Sequence, residues 1–352
     1  MAPEYRRNGQ GGLSYQPCCV PLSLWPAVLN TLAGGKRLSH KGASSAVRRH
    51  PRAALGLMMI VTAASCAPPD RPVRSVGPLP QPLLVLLEPD SVRTRFLGDG
   101  LAYHYLWSPK GPWAVHVLRV DLERCDLGLG VLPAGHDKPS DPGLATVSAL
   151  VEYAGGEVLA AVNGDFFTAE GRPVGPEVAD GRLLRSRVRP ALSWHPGSDP
   201  WIGTTEVGQG GLKAGFWVSS DQTSHAQVIG GFPELLDHGT DVMGLGLDPT
   251  QSFAAARHPR TAVGFDPVAR RLWLLVVDGR QGAYSSGMTL AEVTAALSAV
   301  GSTEALNLDG GGSSVMVVAG TALSSPSDEE GERAVRNALA VVTDPGFCRS
   351  GQ

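Results

Sequence analysis

The 352-residue sequence lacks a G-x-S-x-G elbow, a Walker loop, paired C-x-x-C motifs and H-E-x-x-H. Those absences remove the usual signatures of serine hydrolases, P-loop enzymes and zinc proteins. Its apolar run at 53–64 is about a dozen residues long, short of the ~20 that span a bilayer. The 44 Gly and 28 Pro make up about a fifth of the chain without a collagen-like period, which argues against a helical bundle and for many turns. Basic residues are scarce after residue 66. Residues 1–66 hold eight Lys/Arg against one acid, Glu4, which leaves 22 basic and 32 acidic residues in 67–352, a net of −10. So acidic a body argues against nonspecific nucleic-acid binding, which depends on neutralising phosphates with Lys and Arg. The chain does have 43% hydrophobic residues, enough for the core of one large domain or two.

Arg48-Arg49-His50-Pro51-Arg52, the apolar run and Ala63-Ala64-Ser65-Cys66 follow one another as a basic n-region, an h-region and a small-residue cleavage site. Residues 48–66 therefore read as a signal peptide. The terminal cysteine resembles that of a bacterial lipoprotein signal, in which Cys66 would carry the lipid that anchors the exported chain to a membrane; ordinary cleavage near Ala67 is the alternative. Residues 1–47 show no core-forming pattern and read as a non-native or disordered extension, with translation starting near Val47. Six prolines in 67–82 predict a semi-rigid tether, and 83–348 remain as the folded domain. Besides Cys66 the processed chain retains Cys125 and Cys348. In an oxidising compartment these either pair, fastening the C-terminal tail to an early strand, or stay as two thiols.

Along the body, residues 113–120 alternate Trp113, Val115 and Val117 against Ala114, His116 and Leu118, predicting a strand paired with 125–132. Residues 143–154 predict a helix with Leu144, Val147, Leu150 and Val151 on one face, stopped by Gly155-Gly156. A buried strand over 157–162 runs into Asn163-Gly164-Asp165-Phe166-Phe167, and Gly, Pro and Asp up to about Trp217 indicate short strands and tight turns. Residues 260–265 and 272–277 read as a hairpin whose second arm ends in Asp278-Gly279-Arg280. Thr289-Leu290-Ala291-Glu292 is a capping box that opens a helix with Leu290, Val293, Ala296, Leu297 and Val300 on one face. After Gly301, a strand over 304–308 ends in Asp309-Gly310-Gly311-Gly312-Ser313-Ser314. If 272–277, the helix and 305–308 form a right-handed βαβ unit, both strand ends reach one edge of the sheet, where ligands of open α/β sheets bind. Two carboxylates, a guanidinium and a Gly-rich turn then share one crevice. The expected fold lies between α/β and α+β, a single mixed-sheet domain that is largely β, with this unit carrying the cleft.

Asn163-Gly164-Asp165-Phe166-Phe167, Pro259-Arg260-Thr261-Ala262-Val263-Gly264, Val277-Asp278-Gly279-Arg280-Gln281 and Asn307-Leu308-Asp309-Gly310-Gly311-Gly312-Ser313-Ser314 occur in that order. Together they resemble the phosphodiester glycosidase family over roughly 98–343. Asp165 departs from the pattern, which often has a second Gly there, and adds a negative charge. The resemblance implies hydrolysis of a sugar 1-phosphodiester at its anomeric carbon, with a sugar phosphodiester or a polysaccharide as the partner. Asp278 and Asp309 are then the catalytic candidates, with the choice of roles open. Arg260 and Arg280 suit a phosphodiester, because guanidinium offers paired donors to phosphate oxygens. The N–H groups of Gly310, Gly311 and Gly312 are candidates for holding phosphate or the developing leaving-group charge, and Thr261 and Ser313 are further substrate-binding candidates. Asn163 and Asn307 suit sugar hydroxyls or an acetamido group. Arg333 lies where the family pattern continues and lines the site with Asp165, while the acids of 328–332 read as a solvated loop. His258 reads as an ordinary loop histidine, and His195, His225 and His238 lack metal-ligand spacing. No organic cofactor is implied, and the carboxylates beside the Gly loop are too few to specify Ca²⁺ or Mg²⁺. A saccharide-binding protein of export or assembly, and cleavage at P–O, remain the alternatives.

Overall fold

The computed structural model describes residues 77–135, 143–218 and 225–349. The expected extension (1–47), signal segment (48–66) with Cys66, and the tether up to residue 76 fall outside the described residues. The described chain opens with Leu79 buried and the helix Gln81–Leu87, whose Leu83 and Leu87 are also buried. The end of the Pro-rich segment is thus packed onto the body, because its leucines recur at helical spacing while its prolines occupy the helix start.

The architecture is largely β, an α+β domain. An eight-stranded sheet runs in the order Ser91–Gly98, Leu101–Ser108, Trp113–Asp121, Arg271–Val277, Arg260–Asp266, Glu304–Asn307, Glu234–Asp237, Thr240–Asp241. A five-stranded sheet is ordered Thr321–Ala322, Met316–Val318, Val158–Asn163, Asn337–Thr343, Leu127–Pro133. A second one comprises Arg182–Arg185, Glu177–Ala179, Gln227–Gly230, Pro190–Trp194 and Trp201–Thr204. The pairings within all of these sheets are antiparallel.

The Arg271–Val277 strand is apolar throughout because both of its faces are covered. Leu272, Leu274 and Val276 pack with Leu129, Val162, Met316 and Leu339 between the sheets. Trp273, Leu275 and Val277 pack on the other face against Leu83 and Leu87 and against Leu290, Val293 and Leu297 of the helix Leu290–Ala299. That helix starts with the expected capping box of Thr289 and Glu292. The helix Val147–Ala154 is capped by Thr146, which leaves Leu144 before it and exposed.

Two expectations change. The Trp113–Asp121 strand does not pair with residues 125–132. It lies between Leu101–Ser108 and Arg271–Val277, while Leu127–Pro133 crosses to the other sheet and pairs with Asn337–Thr343. The βαβ unit is split: Arg260–Asp266 pairs antiparallel with both Arg271–Val277 and Glu304–Asn307. The two outer strands are therefore parallel without touching, and their carboxyl ends still reach one edge. The hairpin's own first strand fills the gap, so Arg260 starts at the edge where Val277 and Asn307 finish. Cys125 and Cys348 form a disulfide.

Candidate active site

At that edge the sequence motifs meet around Pro259. The Gly311 N–H donates to the Pro259 carbonyl at 2.9 Å, and a Cβ on Gly279 would lie 2.7 Å from the Pro259 nitrogen. The Leu308 N–H donates to Thr261 O at 2.9 Å, and the Asp309 N–H to Gly164 O at 2.9 Å. Asn163 ties the motifs together from within the core. Its Nδ2 donates to the Asp309 carbonyl at 2.6 Å, and its Oδ1 accepts from the Thr261 hydroxyl at 2.7 Å.

Asp278 continues the alternation of its strand, so its side chain falls on the face of Val276, which pairs with His116. It is buried, and its hydrogen bonds come from donors. Oδ2 accepts from Tyr284 Oη at 3.0 Å and lies 3.0 Å from His116 Nε2; Oδ1 accepts from the Ser325 N–H at 2.9 Å. Tyr103 Oη lies 2.8 Å from His116 Nδ1. Burial, reinforced by Asp278, drives both tyrosine hydroxyls well above their usual range, so they keep their protons. A Tyr103 hydroxyl donating to Nδ1 leaves the Nε2 proton pointing at Asp278.

Asp309 sits at the turn itself. Its Oδ1 accepts from the Gly310 N–H at 2.8 Å. Burial pushes its carboxyl up to about 6, against the Ser313 hydroxyl, the Gly310 N–H and Arg333, which favour the anion. The Ser313 hydroxyl acts from beside it without a hydrogen bond of good geometry. Asp165 is fully enclosed. Oδ2 accepts from the Gly175 N–H at 2.6 Å, Oδ1 has no partner, and burial pushes the group up to about 7 despite Gly175 and Arg189.

The four motifs converge as expected, yet several of their groups are already engaged by the protein. Arg260 is buried. Its Nε donates to Met288 O at 2.9 Å and its Nη2 to Phe253 O at 2.7 Å and Ala256 O at 3.0 Å. Burial beside Arg280 pulls it down to about 10. It clamps loops and offers little to a phosphate. Arg280 is exposed, with Nη2 3.5 Å from His258 Nδ1 and 3.0 Å from where a Gly311 Cβ would stand. His258 is thus part of the mouth, and burial together with Arg260 and Arg280 lowers its pKa. Asn307 lies on the opposite face from Thr261, because it pairs with Ala262. Its Nδ2 donates to Phe232 O and Leu308 O and so braces the strand end, while its buried Oδ1 has no partner.

The Gly run departs from the expected nest of free amides, since Gly310 N–H is taken by Asp309 and Gly311 N–H by Pro259. Gly311, at φ +62°, permits the turn. Gly312 permits a close approach: a Cβ there would be 2.2 Å from an Asp328 oxygen and 2.3 Å from Arg333 Nη2. Those two side chains form an ion pair at 2.7 Å that lies on the Gly loop. The acidic loop is therefore not simply solvated: Asp328 holds Arg333, and Glu332 accepts from the Ser148 N–H near the start of the helix Val147–Ala154.

The sequence reading missed Tyr103, His116 and Tyr284. Only His116 left a trace, as a lone imidazole on the apolar face of residues 113–120, and its meaning depended on a register with Val276 that the sequence does not show. Among the described residues, Asp237, His238 and Glu304 form the one group with metal-ligand proximity. They are largely exposed and lie where the Glu304–Asn307 strand begins, at the end away from Asp309.

No curated protein matches the chain. Solved structures share its fold, three of them as follows. One is the catalytic domain of zebrafish N-acetylglucosamine-1-phosphodiester alpha-N-acetylglucosaminidase, auto-inhibited by its pro-peptide, with a TM-score of 0.53 and 22% identity over 77% of this chain and 86% of that one. A protein of Burkholderia pseudomallei described as exported matches with a TM-score of 0.51 and 21% identity, covering 66% of this chain and 74% of that one. A hypothetical protein from Synechocystis matches with a TM-score of 0.53 and 17% identity over 72% of this chain, which spans only 64% of that protein's length. The phosphodiester glycosidase profile matches residues 156–342, which contain all four motifs. With more than half of its residues matched, the chain belongs to the phosphodiester glycosidase family.

Proposed function

We propose that this protein hydrolyses a sugar 1-phosphodiester, of the N-acetylglucosamine 1-phosphodiester type, at the anomeric C–O bond. The observation that carries this reading is Asp309, a partly buried carboxyl raised to about 6 at the edge where Arg280 faces the Gly loop. A carboxyl that titrates near neutrality suits proton transfer. Arg280 takes the phosphodiester anion and aims its bridging oxygen along the edge. The C–O bond breaks with its electron pair leaving on the phosphate monoester, which departs without much help from an acid. Water adds to the anomeric carbon, and its proton passes to the Asp309 carboxylate. Asp278, fixed by its donors, acts as a positioning group that holds His116, Tyr284 and the 324–327 loop. Buried groups of the motifs without partners, Asp165 Oδ1, Asn307 Oδ1 and the Ser313 and Ser314 hydroxyls, leave hydrogen-bonding capacity for a substrate or water.

The site of action in this reading is the cell envelope or extracellular polysaccharide. The signal-like segment at 48–66 supports export, with Cys66 as lipid anchor, and the Cys125–Cys348 disulfide suits an oxidising compartment. No helix of the described residues is long and apolar enough to cross a membrane.

The test is turnover of N-acetylglucosamine 1-phosphodiesters in ¹⁸O-water, with Asp309→Asn as control. Label is expected on the released sugar. Label on phosphate would replace the proposal with P–O cleavage, and binding without turnover would point to a saccharide-binding protein.

A further inference from the structure

We propose that Arg172, Arg185, Arg187 and Arg189 form a second anion subsite beside the candidate active site, and that the substrate is a polyanion carrying several sugar phosphodiesters. The substrate class rests on the glycosidase reading; the subsite rests on its own geometry. Arg172, Arg182, Arg185, Arg187 and Arg189 fall within one short segment of a body whose net charge is −10. Arg185 pairs across its strand with Glu177, and directly opposed residues share a face. Glu177 is already held by Arg336 at 2.9 Å and Asn337 at 2.8 Å, and Arg185 Nε is buried without a partner.

Arg189 lies with its guanidinium 4.8 Å from the Phe232 ring and 5.8 Å from the Phe166 ring, its Nε also buried and unpartnered. Burial lowers the Arg185 and Arg189 guanidinium pKa values, and the charge of Arg187 acts on both in the same direction, as that of Arg172 does on Arg185. The acids that face this band are Asp165, the engaged Glu177 and the exposed Glu170. Among the described residues none of the four arginines makes an ion pair. Several guanidinium groups so placed repel one another and are relieved by a bound anion. Arginine in particular matches phosphate oxygens in pairs.

The band is continuous with the cleft. Arg189 is followed by Phe166, whose ring lies 6.0 Å from Phe253, and Phe253 lies 5.4 Å from the guanidinium of Arg260 at the Asp278 and Asp309 edge. Arg260 is taken up by loop carbonyls, so at this end the exposed Arg280 beside it is the cation left for a phosphate, and the two rings lie between that charge and the arginine band. The aromatic faces give the sugar an apolar floor, and the arginines at the far end meet the next charge.

The experiment compares the full chain with an R185Q/R187Q variant on two substrates. One is methyl N-acetylglucosamine 1-phosphate; the other is an oligomer of N-acetylglucosamine units joined through 1-phosphodiesters. The wild type is expected to prefer the oligomer in kcat/KM by about tenfold, a preference that shrinks to about twofold in the variant and in about 300 mM salt. An equal preference in both proteins, or none in the wild type, overturns the proposal. Arg187→Gln alone, at an exposed position, is expected to move the ratio in the same direction if the double variant folds poorly. Binding of the same two compounds to Asp309→Asn separates the two readings. Should neither compound be turned over, the glycosidase reading fails, while tighter oligomer binding that R185Q/R187Q abolishes still establishes the subsite. Loss of binding to phosphatidylglycerol vesicles with oligomer binding intact overturns it in favour of a membrane contact.

Discussion

Replacing Asp165 by Asn tests whether an acid enclosed within the site governs stability. Its carboxyl is raised by burial from 3.8 to about 7. Between those two values the folded chain binds more protons than the unfolded chain, so the free energy of unfolding falls as pH rises. The contribution is complete below about pH 4 and gone above about pH 7. About three pK units at 1.36 kcal/mol each set an upper limit of ~4 kcal/mol, and relaxation around the arginines brings the expected loss to about 2–4 kcal/mol. Asn keeps an acceptor for the Gly175 N–H but never ionises. Urea unfolding of both proteins at pH 5, 6, 7 and 8 is the assay. The difference between the two profiles isolates Asp165 from other raised groups such as Asp309, Glu234 and Glu304. The variant is expected to gain on the wild type from pH 5 to about pH 7 and to hold that gain at pH 8. Parallel profiles would refute the argument, and so would a wild type that gains on the variant as pH rises.

Asp309→Asn is expected to lower kcat by about 10²–10⁴-fold while circular dichroism stays unchanged. In the wild type, kcat/KM should fall as pH drops through about 6, because the base must be ionised. His116→Phe removes a partner from both Asp278 and Tyr103 and should cost about 2–4 kcal/mol in urea unfolding. Gly312→Ala must displace the Asp328–Arg333 pair. It should cost about 1–3 kcal/mol and shift the acid limb of kcat/KM upward, since Arg333 normally favours the Asp309 anion. Replacing Cys125 and Cys348 by Ser should lower stability by about 2–5 kcal/mol, and adding reductant to the wild type should reproduce the loss.

Local signals in the sequence located much of this fold. The Thr289–Glu292 capping box, the 260–277 hairpin and the glycines that end helices depend on neighbouring residues alone, and they stand where expected. The shared edge of Asp278 and Asp309 was also legible, because two parallel strands linked by a helix end on the same side even when a third strand separates them. Strand partners were not legible. Residues 125–132 pair with a segment about 200 positions away, and no local pattern encodes that choice. The same limit hid the bonding of the site. Arg260 and Asn307 have the right chemistry for a ligand, but carbonyls brought in by tertiary packing take up the Arg260 guanidinium and the Asn307 Nδ2 donors first. His116 became visible only through its register with Val276.

The Asn337–Thr343 strand lies between Val158–Asn163 and Leu127–Pro133 and is one of the last elements in the chain. Its first residue receives the Asp165 N–H across a separation of 172 positions. A ribosome or a translocon delivers the outer strands of this sheet long before the strand that joins them. Until then those strands have bare edges, and Asp165 has no anchor. The sheet therefore closes as a late, high-contact-order event. The edge that carries the candidate site is assembled in the same step, so an incomplete chain has neither a finished sheet nor a formed site.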